Sequence, residues 1–452
     1  MKSSHILAAG AAALLSLASA QADVVIHITG STAFRGAAIA GINAVLGGAA
    51  NVKSAYKTGT GITGPGNAGQ CVIQGSVAAH PEYGTVTVKC AWSGSSGGVK
   101  TVVQNLDTLN AWISVTHLGT AGTPVGVGSP TYTLDFPGET NQSDVAFSDA
   151  KQVTTGFTSA NLIETKVGVI PFEWVVGFQA GGPSAISNMT PLLAQAVLSG
   201  GAPLSQFTGN SGDLLVPVYA IGRDADSGTR ISALAETGVG VFGSVQHIQV
   251  TTTGGSGVGT EGASINNLYL WPASTLLGVA YPIGNGGYAG GGNVANVLAT
   301  KGSVTANTTN DGGTTFAANQ EVLFGAGQLL GYLGRSDART AVKNDVVLGN
   351  NAHRLTFNGV GITAAGGNLE TTSNGQPAGG YKDNLIQEGL YQCWEYEWFS
   401  YRSTYGTTDV NGKAVADLIS AHIISTDASV SGLLLSTMNV TKAVEGGVIT
   451  HL

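Results

Sequence analysis

Along most of this chain, short runs of β-branched and apolar residues alternate with segments whose apolar positions recur at helical spacing. The runs at 24–29, 86–92, 167–171, 214–221, 247–252, 279–281 and 329–333 read as strands, because Val, Ile, Thr and Tyr suit a pleated surface. The stretches at 37–46, 99–104, 189–198, 230–236, 293–300, 319–324, 413–424 and 429–438 read as helices. Strand and helix in alternation predict an α/β architecture with mostly parallel sheets. A chain of 452 residues exceeds what one core usually serves, so two lobes are expected. The aromatic run 391–401 alternates like a strand and predicts a crossing between the lobes, not a stacking platform for sugars or bases. Residues 284–292 read as a glycine-rich connection and 310–313 as a turn.

The polar positions that interrupt this pattern gather where strands end. Arg223, Asp224, Ala225, Asp226, Ser227, Gly228 and Thr229 stand together in a chain of which only 10% is charged. Arginine presents a rigid fork of N–H donors to a tetrahedral oxyanion. Ser227 and Thr229 add hydroxyls, and Gly228 lets the backbone come close. A helix starting at Ser227-Gly228-Thr229 would point free N–H groups at the same spot. Three further segments share the design. The strand at 24–29 runs into Gly30-Ser31-Thr32, and the strand at 86–92 runs into Ser93-Gly94-Ser95-Ser96-Gly97-Gly98. A short apolar strand ends at Ser148 and Asp149. Any one of these alone reads as an ordinary helix cap; four in one chain point to an anion cradle.

Taken in order, Gly-Ser-Thr at 30–32, Gly-Ser-Ser-Gly-Gly-Val-Lys at 94–100, Ser-Asp-Val-Ala-Phe-Ser-Asp-Ala at 143–150 and Arg-Asp-Ala-Asp-Ser-Gly-Thr at 223–229 resemble the periplasmic phosphate-binding proteins of phosphate ABC importers. Weaker likeness at 171–178, 192–207 and 327–334 extends the resemblance over most of the chain. It implies the two-lobed, type II periplasmic-binding-protein fold, with lobe I formed by 21–170 and 391–452 and lobe II by 171–390. It implies a non-enzymatic protein that binds inorganic phosphate for uptake by an ABC permease. Phosphate contacts are implied from Ser31 or Thr32, from Ser95, and from Arg223, Ser227, Gly228 and Thr229. Asp149 is implied as the acceptor of the proton that hydrogen phosphate carries and sulfate lacks. A carboxylate facing sulfate would leave two anions with no hydrogen between them, which is the physical basis of that choice. The family usually places one acidic residue in the middle of the arginine segment to orient the guanidinium. This chain has Ala225 there, with Asp224 and Asp226 on either side, so either carboxylate is a candidate. Extra sequence near 53–80, 118–139 and 244–271 lengthens the chain beyond the usual member.

The N-terminus adds a compartment. Lys2 precedes an apolar run at 6–17 and the small residues Ala18-Ser19-Ala20, which predict a signal peptide over 1–20, a mature start at Gln21 and a periplasmic or secreted location. No other stretch is apolar for long enough to span a bilayer. A formal charge of −8 without a basic stripe argues against nucleic acid as partner. Local N–H dipoles and one arginine still suffice for an anion at contact range. With export, Cys71 and Cys90, on two predicted strands around the turn at 80–84, are expected to form a disulfide, and Cys393 to be a buried thiol. No cofactor motif and no metal-ligand spacing is present. Two rival readings have support of their own. The 68 glycines and low charge suit a surface structural protein that keeps the fold without a transport role. A phosphatase-like hydrolase would use Ser95 or Thr229 as nucleophile, with His247 or His27 as base.

Overall fold

The computed structural model describes residues 23–59, 61–105, 112–128, 134–177, 184–302, 321–322, 327–343, 352–363, 375–377 and 379–452. The expected signal peptide at 1–20 and turn at 310–313 lie outside these residues.

The first half is built from β1 (Val24–Gly30), α1 (Arg35–Val45), β2 (Lys53–Lys57), β3 (Gln70–Gly75), β4 (Val86–Ala91), α2 (Ser95–Gln104) and β5 (Val145–Ser148). Both β4 and β5 lie parallel to β1, so the chain leaves all three strands at the same end. The inserted β2 and β3 extend this sheet with antiparallel pairing. The second half centres on β7 (Pro217–Ala220) and β8 (Gln328–Gly334), again parallel, with α3 (Gly228–Glu236) following β7.

Two long strands join the halves. The 16-residue β6 (Leu162–Gly177) pairs antiparallel with β9 (Trp394–Arg402) over its first part and with β8 over its last. Pro171 sits where β6 changes partner, a place where a residue without an N–H interrupts no ladder. In turn β9 pairs with β5, and among the described residues all these strands belong to one 12-stranded sheet. Helices flank it, and α4 (Val410–His422) packs against α1. Every residue of 167–177 is buried. A strand covered on both faces carries a nearly continuous apolar run, here interrupted by Glu173 alone, which is why this segment stands out in the sequence. One core runs through both halves, with Ile28, Phe147, Phe172, Trp174 and Trp394 among its members. Among the described residues no helix is long and apolar enough to cross a membrane.

Three expectations are corrected. Of the predicted helix at 319–324, only 321–322 are described, and they form a strand paired with 268–269. Six residues are too few for periodicity to separate the two states. The predicted helix at 429–438 is instead two short turns, α-helical at Ala428–Ser431 and 3-10 at Leu435–Thr437, with the first ending at Gly432. There Leu433 exchanges two backbone hydrogen bonds with Val169 of β6, at 2.9 and 3.0 Å, and sheet pairing overrides helix propensity. Finally, Cys71 and Cys90 face each other across β3 and β4 but are free, buried thiols, and the expected disulfide is absent. Burial pushes the Cys90 thiol well above its ordinary range.

Candidate anion site

Because β1, β4 and β5 end together, Ser31, Ser95 and Asp149 are delivered to one edge of the first half. The loop after β7 delivers Arg223 through Thr229 from the second half, and the two walls are in contact. From one side, Arg223 Nη1 donates to Thr32 Oγ1 at 3.2 Å. From the other, the Ser95 hydroxyl donates to the Asp149 carboxylate, beside which Thr229 also lies. Gly228 stands so close to that carboxylate that a β-carbon there would collide with it, so the approach requires glycine. Ser227 accepts from the Arg230 N–H at 3.4 Å and caps α3, while Ser31 accepts from the Phe34 N–H at 3.2 Å. A hydroxyl that accepts a capping bond keeps its own hydrogen for another partner. The residues expected to contact the anion thus lie where the two halves meet, all of them buried except the half-buried Thr32.

The electrostatics of the cluster are uneven. Burial pushes the Asp149 carboxyl up, and the Ser95 hydroxyl and the Arg223 guanidinium draw it back down. Arg223 is itself aimed by backbone carbonyls: Nε donates to Tyr288 O at 3.0 Å and Nη2 to Ala289 O at 2.9 Å. Arg230, behind it, donates to Asn285 O at 3.0 Å and to Asn285 Oδ1 at 2.5 Å. The segment at 284–292 therefore does more than connect. Its carbonyls hold the arginines, a role that glycine richness alone does not announce.

Among the described residues, neither Asp224 nor Asp226 forms a hydrogen bond with the Arg223 guanidinium. Asp224 accepts from the Asp226 N–H at 3.2 Å. Asp226 instead crosses to the first half, where its carboxyl accepts from Gly97 N–H and its carbonyl from Ser96 N–H at 2.9 Å. It sits on the first turn of α2, where free N–H groups favour an anion. Burial, then the neighbouring charge of Asp224, push the Asp226 carboxyl up to about 8. A second crossing joins Lys100 Nζ to Leu277 O at 2.5 Å, tying α2 to the inserted hairpin of Ser274–Leu276 and Val279–Tyr281. Arg35 was passed over in the sequence: it is half-buried at the start of α1 and close enough to Asp337 and Arg223 to feel both charges. Its only sequence signal is its place just after Gly30-Ser31-Thr32-Ala33-Phe34.

No family model and no curated protein matches the chain. Among solved structures it is similar to a Clostridium perfringens chain that has phosphate bound, at 10% identity and TM-score 0.41, over 89% of this chain and 98% of that one. It is also similar to an ABC-type phosphate transport receptor from Vibrio cholerae, at 11% identity and TM-score 0.41, over 91% and 99% of the two chains.

The bases that hydrolysis would need stand as follows. His247 shares a cavity of about 20 Å³ with Arg223 and Thr229, room for about one water. Its Nδ1 lies 2.9 Å from Gly286 O, and burial followed by the charge of Arg230 pushes the imidazole down to about 3. A group with so low a pKa is a weak base at neutral pH. His27 lies 2.9 Å from Glu139 and 3.4 Å from Asp144, in a separate cluster beneath an inserted loop. Among the described residues no group of three or more His, Cys, Asp or Glu could hold a metal ion.

Proposed function

We propose that this chain is an exported, non-enzymatic binding protein that closes two lobes on inorganic phosphate and presents it to a membrane permease. The lobes are 21–170 with 391–452 and 171–390, and β6 and β9 form the crossing between them. One observation carries the reading: the buried Asp149 carboxyl meets hydroxyl donors from both walls, with the Arg223 fork beside it. Hydrogen phosphate offers one hydrogen to an acceptor and bare oxygens to donors, which is the complement of that arrangement. Sulfate would leave Asp149 facing an oxygen with no hydrogen between them, an unmatched buried group of the costly kind. Since the donors come from both lobes, ligand contacts and lobe contacts stabilise the closed form together.

Isothermal titration of the purified, phosphate-stripped protein tests this. Tight one-to-one binding of phosphate is expected, with no heat from sulfate. Absence of heat and of thermal stabilisation with either ion would overturn the reading in favour of a surface protein that has kept the fold without the site.

A further inference from the structure

Two glutamates lie two residues apart on β9, and their surroundings differ completely. Glu395 accepts from Ser232 Oγ at 3.0 Å and pairs with Lys442 Nζ at 2.9 Å. Glu397 has 0% of its surface exposed; neither carboxyl oxygen makes a hydrogen bond of good geometry, and the Ser31 hydroxyl, within reach of the carboxyl, partly offsets the cost of its charge. Its position explains why. Glu397 is opposite Gly168 of β6, and the next residue, Trp398, is opposite Ser148, which directly precedes Asp149. Ser31 lies beside the carboxyl, and among the described residues Asp149 is the one charged group near enough to act on it. The apolar ring of Phe34 covers the Gly168 side. Among the described residues, no cation stands where Lys442 stands for Glu395.

On this geometry we propose that Glu397 is a positioning residue of the anion site, remaining a neutral carboxylic acid behind Ser31 and making phosphate affinity fall as the pH rises. The inference rests on the phosphate reading above and extends it. A buried carboxylate without a cation is costly, and a second carboxyl nearby raises that cost. Glu397 and Asp149 therefore hold no more than one negative charge between them near neutral pH. Burial, followed by the charge of Asp149, pushes Glu397 well above its ordinary range, in agreement with the geometry. As an acid, Glu397 donates to the Ser31 oxygen, leaving the Ser31 hydrogen to point at the anion. Ionised, it would add a negative charge behind the ligand and remove that donor. An arriving anion thus favours the protonated form, and binding takes up a proton once the pH is high enough to have removed it.

The test is calorimetric titration of phosphate into the wild-type chain and Glu397→Gln between about pH 6 and about pH 9. Glutamine keeps the shape and a donor but does not ionise. At the acid end the two proteins should bind within about threefold of each other, and at the alkaline end the wild type should lose about tenfold more affinity than the variant. Superimposable profiles in a wild type that binds phosphate would overturn the role of Glu397 and leave the binding reading intact. A wild type that binds no phosphate at any pH overturns both. Should Glu397→Gln not fold, Asp226→Asn carrying the native Glu397 decides the matter. Titrated at about pH 9 in two buffers of different ionisation enthalpy, it should take up a proton on binding phosphate, and zero uptake overturns the proposal.

Discussion

Buried charge is handled in opposite ways at two places on the same sheet. Beneath the segment at 134–139, Lys89 is fully buried, 2.7 Å from Asp135 and 2.5 Å from Glu139, and His27 stands 2.9 Å from Glu139. Cations and anions alternate there, and the Asp135 carboxylate takes further donors from Ser114 and Val115. In the cleft, the buried acids Asp149, Asp226 and Glu397 outnumber their cations, and carbonyls already hold most of the Arg223 guanidinium. The strand β4 serves both places, with Lys89 within it and Ser95 just beyond its end. A matched cluster fixes a loop and asks for nothing more. An unmatched one, with raised carboxyls and outward donors, is what a site for a proton-bearing anion requires.

That contrast can be broken first at Lys89. Replacing Lys89 by Met takes the buried lysine cation away from Asp135 and Glu139, so stability should fall by about 3–5 kcal/mol, as when one partner of a buried pair is removed. Phosphate affinity of the folded protein should stay within about twofold of the wild type, because the sites share no partners. Urea unfolding and calorimetry on the same preparation check both halves. A comparable loss of affinity would show that the two clusters are one.

Arg223→Ala probes the other side. Truncating a buried, hydrogen-bonded charge that faces an anion should cost about 2–5 kcal/mol of binding. Calorimetry with phosphate is the measurement, and unchanged affinity would remove Arg223 from the site and the contrast with it.

Much of this was legible in the sequence because strand ends and glycine-serine turns have local signatures. Ser31, Ser95, Asp149 and Arg223 each follow a short apolar run, and parallel strands bring such ends together whatever lies between them. The crossing was legible for a different reason, since 167–177 is apolar apart from Glu173. What escaped the reading is non-local. Asp226 looks like a candidate partner for Arg223 three residues away, and only the closing of the walls puts it on Gly97. The carbonyls of Tyr288 and Ala289 have no sequence signature, as any residue could supply them. Glu397 and Glu395 are indistinguishable in an aromatic strand until Lys442, contributed from the C-terminal segment, chooses one of them. The failed helix at 429–438 has the same origin, a backbone pairing with β6 that periodicity does not see.

A milder test uses pH and the matched cluster. Burial alone would raise Glu139, but hydrogen bonds from His27 and Lys89 override it and hold the carboxyl at about 2, below its ordinary 4.5. Because the folded value is the lower one, the associated stability is present above about 4.5 and is lost as the pH falls through about 2. His27 runs the other way: it is raised above 6.5, so its contribution is present below that value and is lost as the pH rises through the folded value. Unfolding midpoints measured against pH should show the acid limb in the wild type and a flatter one in Glu139→Gln.

Asp226→Asn should show the smallest effect, and the opposite sign. The folded Asp226 carboxyl is pushed up to about 8 from an ordinary 3.8, so folding favours its neutral form. Between those values the unfolded chain gains by ionising while the folded chain does not, and stability declines as the pH rises. Asparagine carries no such penalty, and its side-chain oxygen can still accept from Gly97 N–H. The variant should therefore be more stable than the wild type by about 1–2 kcal/mol at neutral pH, with the difference vanishing in acid. Its phosphate affinity should match the wild type in acid and exceed it by about threefold at alkaline pH, where the native carboxyl ionises beside the ligand. Removing a carboxylate weakens the matched cluster through Glu139→Gln and strengthens the cleft through Asp226→Asn. Were Asp226→Asn instead less stable at neutral pH, Asp226 would be working as an ionised latch on α2, and the cleft would belong with the matched cluster after all.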